Sequence, residues 1–244
     1  MQLTCFSLYY VLQLEKNNKE LIFITSSSQR KQERLNSGLL DTMSTQLYNL
    51  ILGGCILYGL LLNVIIVIFF GDVFAGIDPR LFLIGYFVLC FGGIYLARSG
   101  NPMTSFLGYN LVVLPIGALL SVALPGYAAY DIRLAIVTTA CIVAVMITAA
   151  TLHPEYFAGL GTTLFFSLLI GVVVELIAML LGYEPSIFNW AFVLLFTLYI
   201  GYDWYKAQAY PKTLDNAIDS ALDIYLDIIN LFIRILNILN KKRK

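Results

Sequence analysis

Two short stretches near the C-terminal end carry the side chains best placed to do chemistry. YIGYDWYKAQ holds Asp203, and ALDIYLDIINLF, residues 221–232, holds Asp223 and Asp227. Both are apolar enough to lie in a bilayer, where an ionisable group is costly and is by default a mark of function. Two carboxylates within hydrogen-bonding distance and away from water cannot both ionise cheaply, so they hold one proton between them. While present, that proton ties two helices together. Its loss leaves like charges that repel and offers the oxygen ligands that a hard cation such as Ca²⁺ takes. The chemistry is that of a pH-dependent gate, and the plainer alternative is a hydrogen bond that only holds a helix hairpin together.

Which acids would pair depends on the turn around AYPKT. Antiparallel helices joined by a short loop bring residues equally far from the turn to the same height. Asp203 precedes position 215 by twelve residues and Asp227 follows it by twelve. A turn centred nearer Pro211 makes Asp219 or Asp223 the better partner, and spacing alone does not choose. Asp215, Asp219, Asp223 and Asp227 recur every four residues, a slowly drifting stripe on one helix face. For Asp215 and Asp219 the helix macrodipole is sufficient reason, whereas Asp227 is some three turns in, where the dipole no longer helps. Glu175, in GVVVELIAML, is placed to line a pore, to pair with Arg234, or to pack as a neutral acid. Arg234 is a candidate counter-charge for one of these acids, or a side chain that snorkels to the interface.

The elements that must position these groups follow from hydropathy. Of the 244 residues 59% are hydrophobic and 12% charged, far more apolar than a soluble domain. The expected fold is an all-α integral membrane protein. Seven segments have about the length needed to cross a bilayer: 47–70, 80–98, 104–124, 132–151, 157–181, 187–205 and a more polar one at 216–239. Between them GDVFAGIDPR, RSGNP, PGYAAYD, HPE, GYEPS and QAYPKT place Gly, Pro or Asp where a helix stops. The last segment, with Asp223, Asp227, Asn230, Arg234 and Asn237, suits a helix surrounded by the other six. Three parts result: a polar tail over 1–46, flexible or an over-extended start; a seven-helix transmembrane domain over 47–240; and a basic tail over 241–244.

From 47 to 240 the chain carries eleven acids and six bases, so a water-filled cavity in it would draw cations. No nucleic acid is expected among its partners, which would be the bilayer, calcium and protons. Lysine and arginine put the N-terminus in the cytoplasm, although the C-terminal KKRK then falls outside after an odd number of spans. The tails and the lack of organelle signals suggest a bacterial plasma membrane. Cys5, Cys55, Cys90 and Cys141 show no C-x-x-C spacing, and the three inside expected spans, Cys55, Cys90 and Cys141, read as packed thiols. His153, the one histidine, reads as solvated or capping, Trp190 and Trp204 as interfacial anchors, and Gly53-Gly54 and Gly92-Gly93 as close helix contacts.

The paired stretches YIGYDWYKAQ and ALDIYLDIINLF resemble the C-terminal signature of the Bax inhibitor-1 family, also called the transmembrane Bax inhibitor motif family. The likeness covers residues 47–240, with SGNPMTSFLGYN also similar. It implies a seven-helix bundle with the last helix central and a proton-sensitive calcium leak gated by two hydrogen-bonded aspartates, Asp203 and Asp227 by position. Those two are then the candidate pH sensor and Ca²⁺ ligands, with Asp223, Glu175 and Asp219 as further pore or ion-binding candidates. Asp223 stands where the family usually has a small polar residue, and Glu175 lies outside its signature.

Other functions leave different marks. Tyr202-Asp203 is half of an intramembrane aspartyl protease signature, but the second acid of G-x-G-D is missing: Gly159-Leu160-Gly161-Thr162 has threonine there. With no P-loop, H-E-x-x-H or nucleophile elbow either, no enzyme and no bound cofactor are expected. A proton-coupled cation transporter, or a membrane regulator that binds a partner protein, are the remaining alternatives.

Overall fold

The computed structural model describes residues 42–182 and 187–241, so most of the N-terminal tail, Cys5, residues 183–186 of the GYEPS turn with Glu184, and the last three residues lie outside the described part. Nine α-helices follow in order among the described residues: α1 (Thr45–Phe69), α2 (Gly71–Ala75), α3 (Pro79–Ala97), α4 (Pro102–Ala123), α5 (Ala129–Leu152), α6 (Pro154–Ala158), α7 (Gly161–Leu180), α8 (Ile187–Ala209) and α9 (Leu214–Lys241). No strand occurs among them. Six are long and apolar enough to cross a membrane: α1, α3, α4 with the 3₁₀ turn after it, α5, α7 and α8. Leu57, Ile68, Val88, Ile170 and Leu194 are each more than 60% exposed on them. Apolar surface on that scale needs a lipid solvent, and the chain is a multi-pass membrane protein.

Local chemistry starts and stops these helices. Asp78 and Asn101 cap α3 and α4 by accepting from the backbone N–H groups of Arg80 and Leu81, and of Met103 and Thr104. Pro79 and Pro102 then occupy first-turn positions, where a missing N–H costs nothing. Thr213 precedes α9, and its Oγ1 accepts from Asn216 N at 3.2 Å. The fifth expected span differs. Instead of running from 157, the chain forms the short α6, breaks at Gly159 and Leu160, and starts α7 at Gly161 with no side chain capping it. Span six, expected to end at 205, continues to Ala209, since Tyr205 to Ala209 are compatible with a helix until Pro211 stops it.

The chain divides into two compact units. One holds α1–α4 with the Tyr210–Tyr225 stretch, the other Ala129–Ala209 with the stretch from Leu226, so α9 contributes to both. In the first unit α4 packs on α1, α2 and α3. Its Gly108 sits so close to α3 that a Cβ there would collide with the backbone of Ala97 and Gly93. Polar links tie the early turns of α9 to this unit. Tyr48 Oη donates to Ser220 Oγ at 3.3 Å, Ser105 Oγ to Asp215 Oδ1 at 2.6 Å, and Asn63 Nδ2 to Tyr225 Oη at 2.6 Å. Before α9, the Lys212 ammonium lies 4.6 Å from the Tyr48 ring centre, and burial pulls it below its ordinary pKa. In the second unit α8 packs on α5, α6 and α7, and Trp204 Nε1 donates to Thr151 Oγ1 at 2.9 Å.

The expected glycine contacts need correction. Gly93 does press on α4, but a Cβ at Gly53, Gly54 or Gly92 meets nothing within 4 Å. Adjacent helix positions point about 100° apart, so a glycine pair cannot put both members on one contact face. Gly108→Ala should therefore cost about 1–3 kcal/mol by overpacking, whereas Gly92→Ala should be neutral or stabilising by up to about 1 kcal/mol. Unfolding of the two variants in detergent micelles checks this, and equal effects would contradict the packing.

Candidate functional site

One face of α8 carries Asn189, Phe192, Phe196, Tyr199 and Asp203, spaced alternately three and four residues apart, and all are buried. That spacing keeps them in one stripe along a helix. The stripe is polar at both ends and aromatic between, with Phe192 and Phe196 stacked at 6.0 Å and Phe196 and Tyr199 at 6.4 Å between ring centres. α9 supplies the opposing groups, Asp227 and, two turns on, Arg234.

At one end are the two acids. Asp203 is 6% exposed and Asp227 4%. Tyr199, one turn before Asp203, lies within electrostatic reach of Asp227, Asp203, Lys206 and Tyr202. Asp227, one of the partners that the hairpin arithmetic offers Asp203, shares the surroundings of Tyr199. The local backbone makes room here. Gly201 admits the Phe157 ring from α6, and Gly161 at the start of α7 admits the Tyr202 ring, each so closely that a Cβ would collide. Lys206 Nζ donates to Asp203 Oδ1 at 2.6 Å. The i,i+3 spacing of Lys206 from Asp203 is the one trace of this pair in the sequence.

At the other end Arg234, 3% exposed, donates to both oxygens of Glu175, Nη1 to Oε1 at 2.5 Å and Nη2 to Oε2 at 2.7 Å. Nη1 also reaches Asn189 Oδ1 at 3.3 Å, and the guanidinium lies 4.0 Å from the Phe192 ring centre. A planar fork against a carboxylate, with an aromatic face beneath, is the arrangement in which a buried guanidinium is tolerated. The snorkelling alternative for Arg234 does not describe this geometry. Asn189 and Phe192 were missed because only the fold shows that their stripe faces Arg234.

Asp215 takes the Ser105 hydroxyl, Asp219 is buried and Asp223 half-buried. Among the described residues no three His, Cys, Asp or Glu side chains gather closely enough to hold a metal ion. Calcium prefers six to eight oxygens, so two aspartates do not make a resident calcium cage, and a cation here would be cargo. His153 lies in a loop with Nδ1 3.2 Å from Glu155 Oε1, both exposed. The Glu155 backbone amide, and then His153, hold that carboxyl below its usual range.

A family model described as Inhibitor of apoptosis-promoting Bax1 matches residues 40–244. The chain belongs to the Bax inhibitor-1 family. Relatives include uncharacterised proteins of Helicobacter pylori. That of strain J99 is 31% identical over 178 residues, 71% of this chain and 67% of the relative. That of strain 26695 is 30% identical over 175 residues, 70% and 66%. The chain thus spans about two thirds of these relatives, and both stretches that carry the family likeness, with Asp203 and Asp227, fall within the matched residues.

Breaking a buried ion pair by removing one partner costs about 3–5 kcal/mol, while replacing both by apolar residues is often near neutral. Glu175→Gln, which strands the guanidinium, should lower stability by about 3 kcal/mol, because the Glu175 side chain keeps 24% exposure. The double variant Glu175→Met with Arg234→Met should recover most of the loss. Denaturant unfolding in micelles tests this, and a double variant as unstable as the sum of the single ones would argue against the coupling.

Proposed function

We propose that this Bax inhibitor-1 family protein is a pH-sensitive leak for a hard cation, calcium by preference, in a bacterial plasma membrane. Asp203 and Asp227 form its gate, and α9 is the seventh helix of the bundle, enclosed by the other six. The observation that carries this is the burial of both carboxylates at one end of the α8 stripe, around Tyr199. Each carboxylate is expensive to keep away from water. At acidic pH a proton on the pair lets α8 and α9 lie together with Phe192 and Phe196 between the polar ends. Its loss adds negative charge, separates the helices and gives a passing cation carboxylate oxygens. Asp223 and Asp219 add acidity along the path, while Glu175, the third pore candidate, is neutralised by Arg234. No bound cofactor and no catalytic step are assigned.

The Lys206–Asp203 ion pair favours one alternative, a proton-coupled cation transporter, because an ammonium that swaps with a cation or proton at a carboxylate is a means of exchange. Passive flux without proton movement separates a leak from it.

Calcium flux into liposomes, titrated against pH, tests the gate. Wild-type flux should rise with pH by up to about tenfold per unit over the range in which one proton is lost. Asp203→Asn and Asp227→Asn should each flatten that profile. If both variants keep the wild-type profile, the aspartate gate is wrong.

A further inference from the structure

We infer that Lys206 is a tethered counter-cation that competes with cations for Asp203 and disfavours divalent ions more than monovalent ones. This rests on the leak reading above and names what regulates its site. The Nζ–Oδ1 distance is 2.6 Å, so the ammonium occupies a position where a cation would coordinate Asp203. Two features hold it there. Lys206 is in the last turn of α8, where the helix carbonyls favour positive charge, and Nζ lies 5.7 Å from the Tyr202 ring centre. One feature lets it leave: its side chain is 23% exposed against 9% for Asp203, and a lysine is a point charge on a flexible stem that regains water by swinging outward. A simple structural ion pair needs no such asymmetry.

Selectivity follows from Coulomb's law. Repulsion between the ammonium and an arriving ion scales with the ion's charge, so a divalent ion meets twice the penalty of a monovalent one at the same distance. Neutralising Lys206 should therefore raise Ca²⁺ binding at Asp203 by on the order of tenfold and Rb⁺ binding by its square root, about threefold. Lys206→Arg, which keeps the charge, should stay near wild type.

The test measures equilibrium binding of radiolabelled Ca²⁺ and Rb⁺ to purified protein in micelles, with flux of both ions in liposomes. Each variant is assayed on the alkaline plateau of its own pH profile, so that protonation of the gate does not enter. The variants are Lys206→Gln, Lys206→Met, which keeps the packing of the stem, Lys206→Arg, and Lys206→Gln combined with Asp203→Asn. A larger gain for Ca²⁺ than for Rb⁺ in the Gln or Met variant, lost in the double variant and absent in Lys206→Arg, supports the inference. If that binding shift occurs while no variant passes ions, the leak reading fails and the counter-cation role stands. If wild type shows pH-gated flux but Ca²⁺ binding and the Ca²⁺/Rb⁺ ratio are unchanged or undetectable in folded Gln and Met variants, the inference is overturned and the leak reading survives. A chain that folds with neither residue at 206 makes Lys206 a structural stitch and overturns it as well.

Discussion

A charge taken out of water must find its compensation inside the chain, and this requirement organises the second unit more than any other. Arg234 is the clearest case. At 3% exposure its guanidinium is supported by Glu175, by Asn189 and by the face of Phe192, so three residues on two other helices have identities fixed by one cation. Asp203 follows the same rule with Lys206. The first unit meets it with neutral groups, where hydroxyls of Tyr48 and Ser105 and the Asn63 amide serve the polar side of α9. Close approach is a precondition for such short-range bonds. Glycines at 108, 161 and 201 provide it by letting neighbouring helices or rings press against the backbone.

The six apolar helices were legible because bilayer thickness imposes a length that hydropathy reveals directly. Their ends were legible where a capping residue and a proline mark them, as at Asp78-Pro79 and Asn101-Pro102. They were misread at 157–161, where phenylalanine and leucine continue the apolar run and only Gly159 signals the break. The family was legible from two short stretches around Asp203 and Asp227, and the family match bears it out. Contacts within one helix are written in the spacing, as in the i,i+3 pair of Asp203 and Lys206. Contacts between helices were a different matter. Glu175 and Arg234 are 59 residues apart, and Asn189 became relevant only when the rotation of α8 about its axis was known. Hydropathy constrains that rotation weakly in a span whose outer face is lipid, since lipid and core are both apolar.

The charge balance of the two ends of the α8 stripe separates their roles. Glu175 and Arg234 sum to zero and meet through two nearly parallel hydrogen bonds, an arrangement that a proton or a cation can only weaken. That end is suited to holding helices in register. At the other end Asp203, Asp227 and Lys206 sum to −1 when both acids are ionised, and to zero when one carries a proton. A site whose formal charge passes through zero on binding one positive charge is one where a proton and a metal ion compete on similar terms. Phe192 and Phe196 lie between the ends, so apolar ring faces separate the two polar groups. The two ends therefore differ in kind: a neutral, bidentate ion pair at Glu175 and Arg234, and an excess of acid over base at Asp203, Asp227 and Lys206.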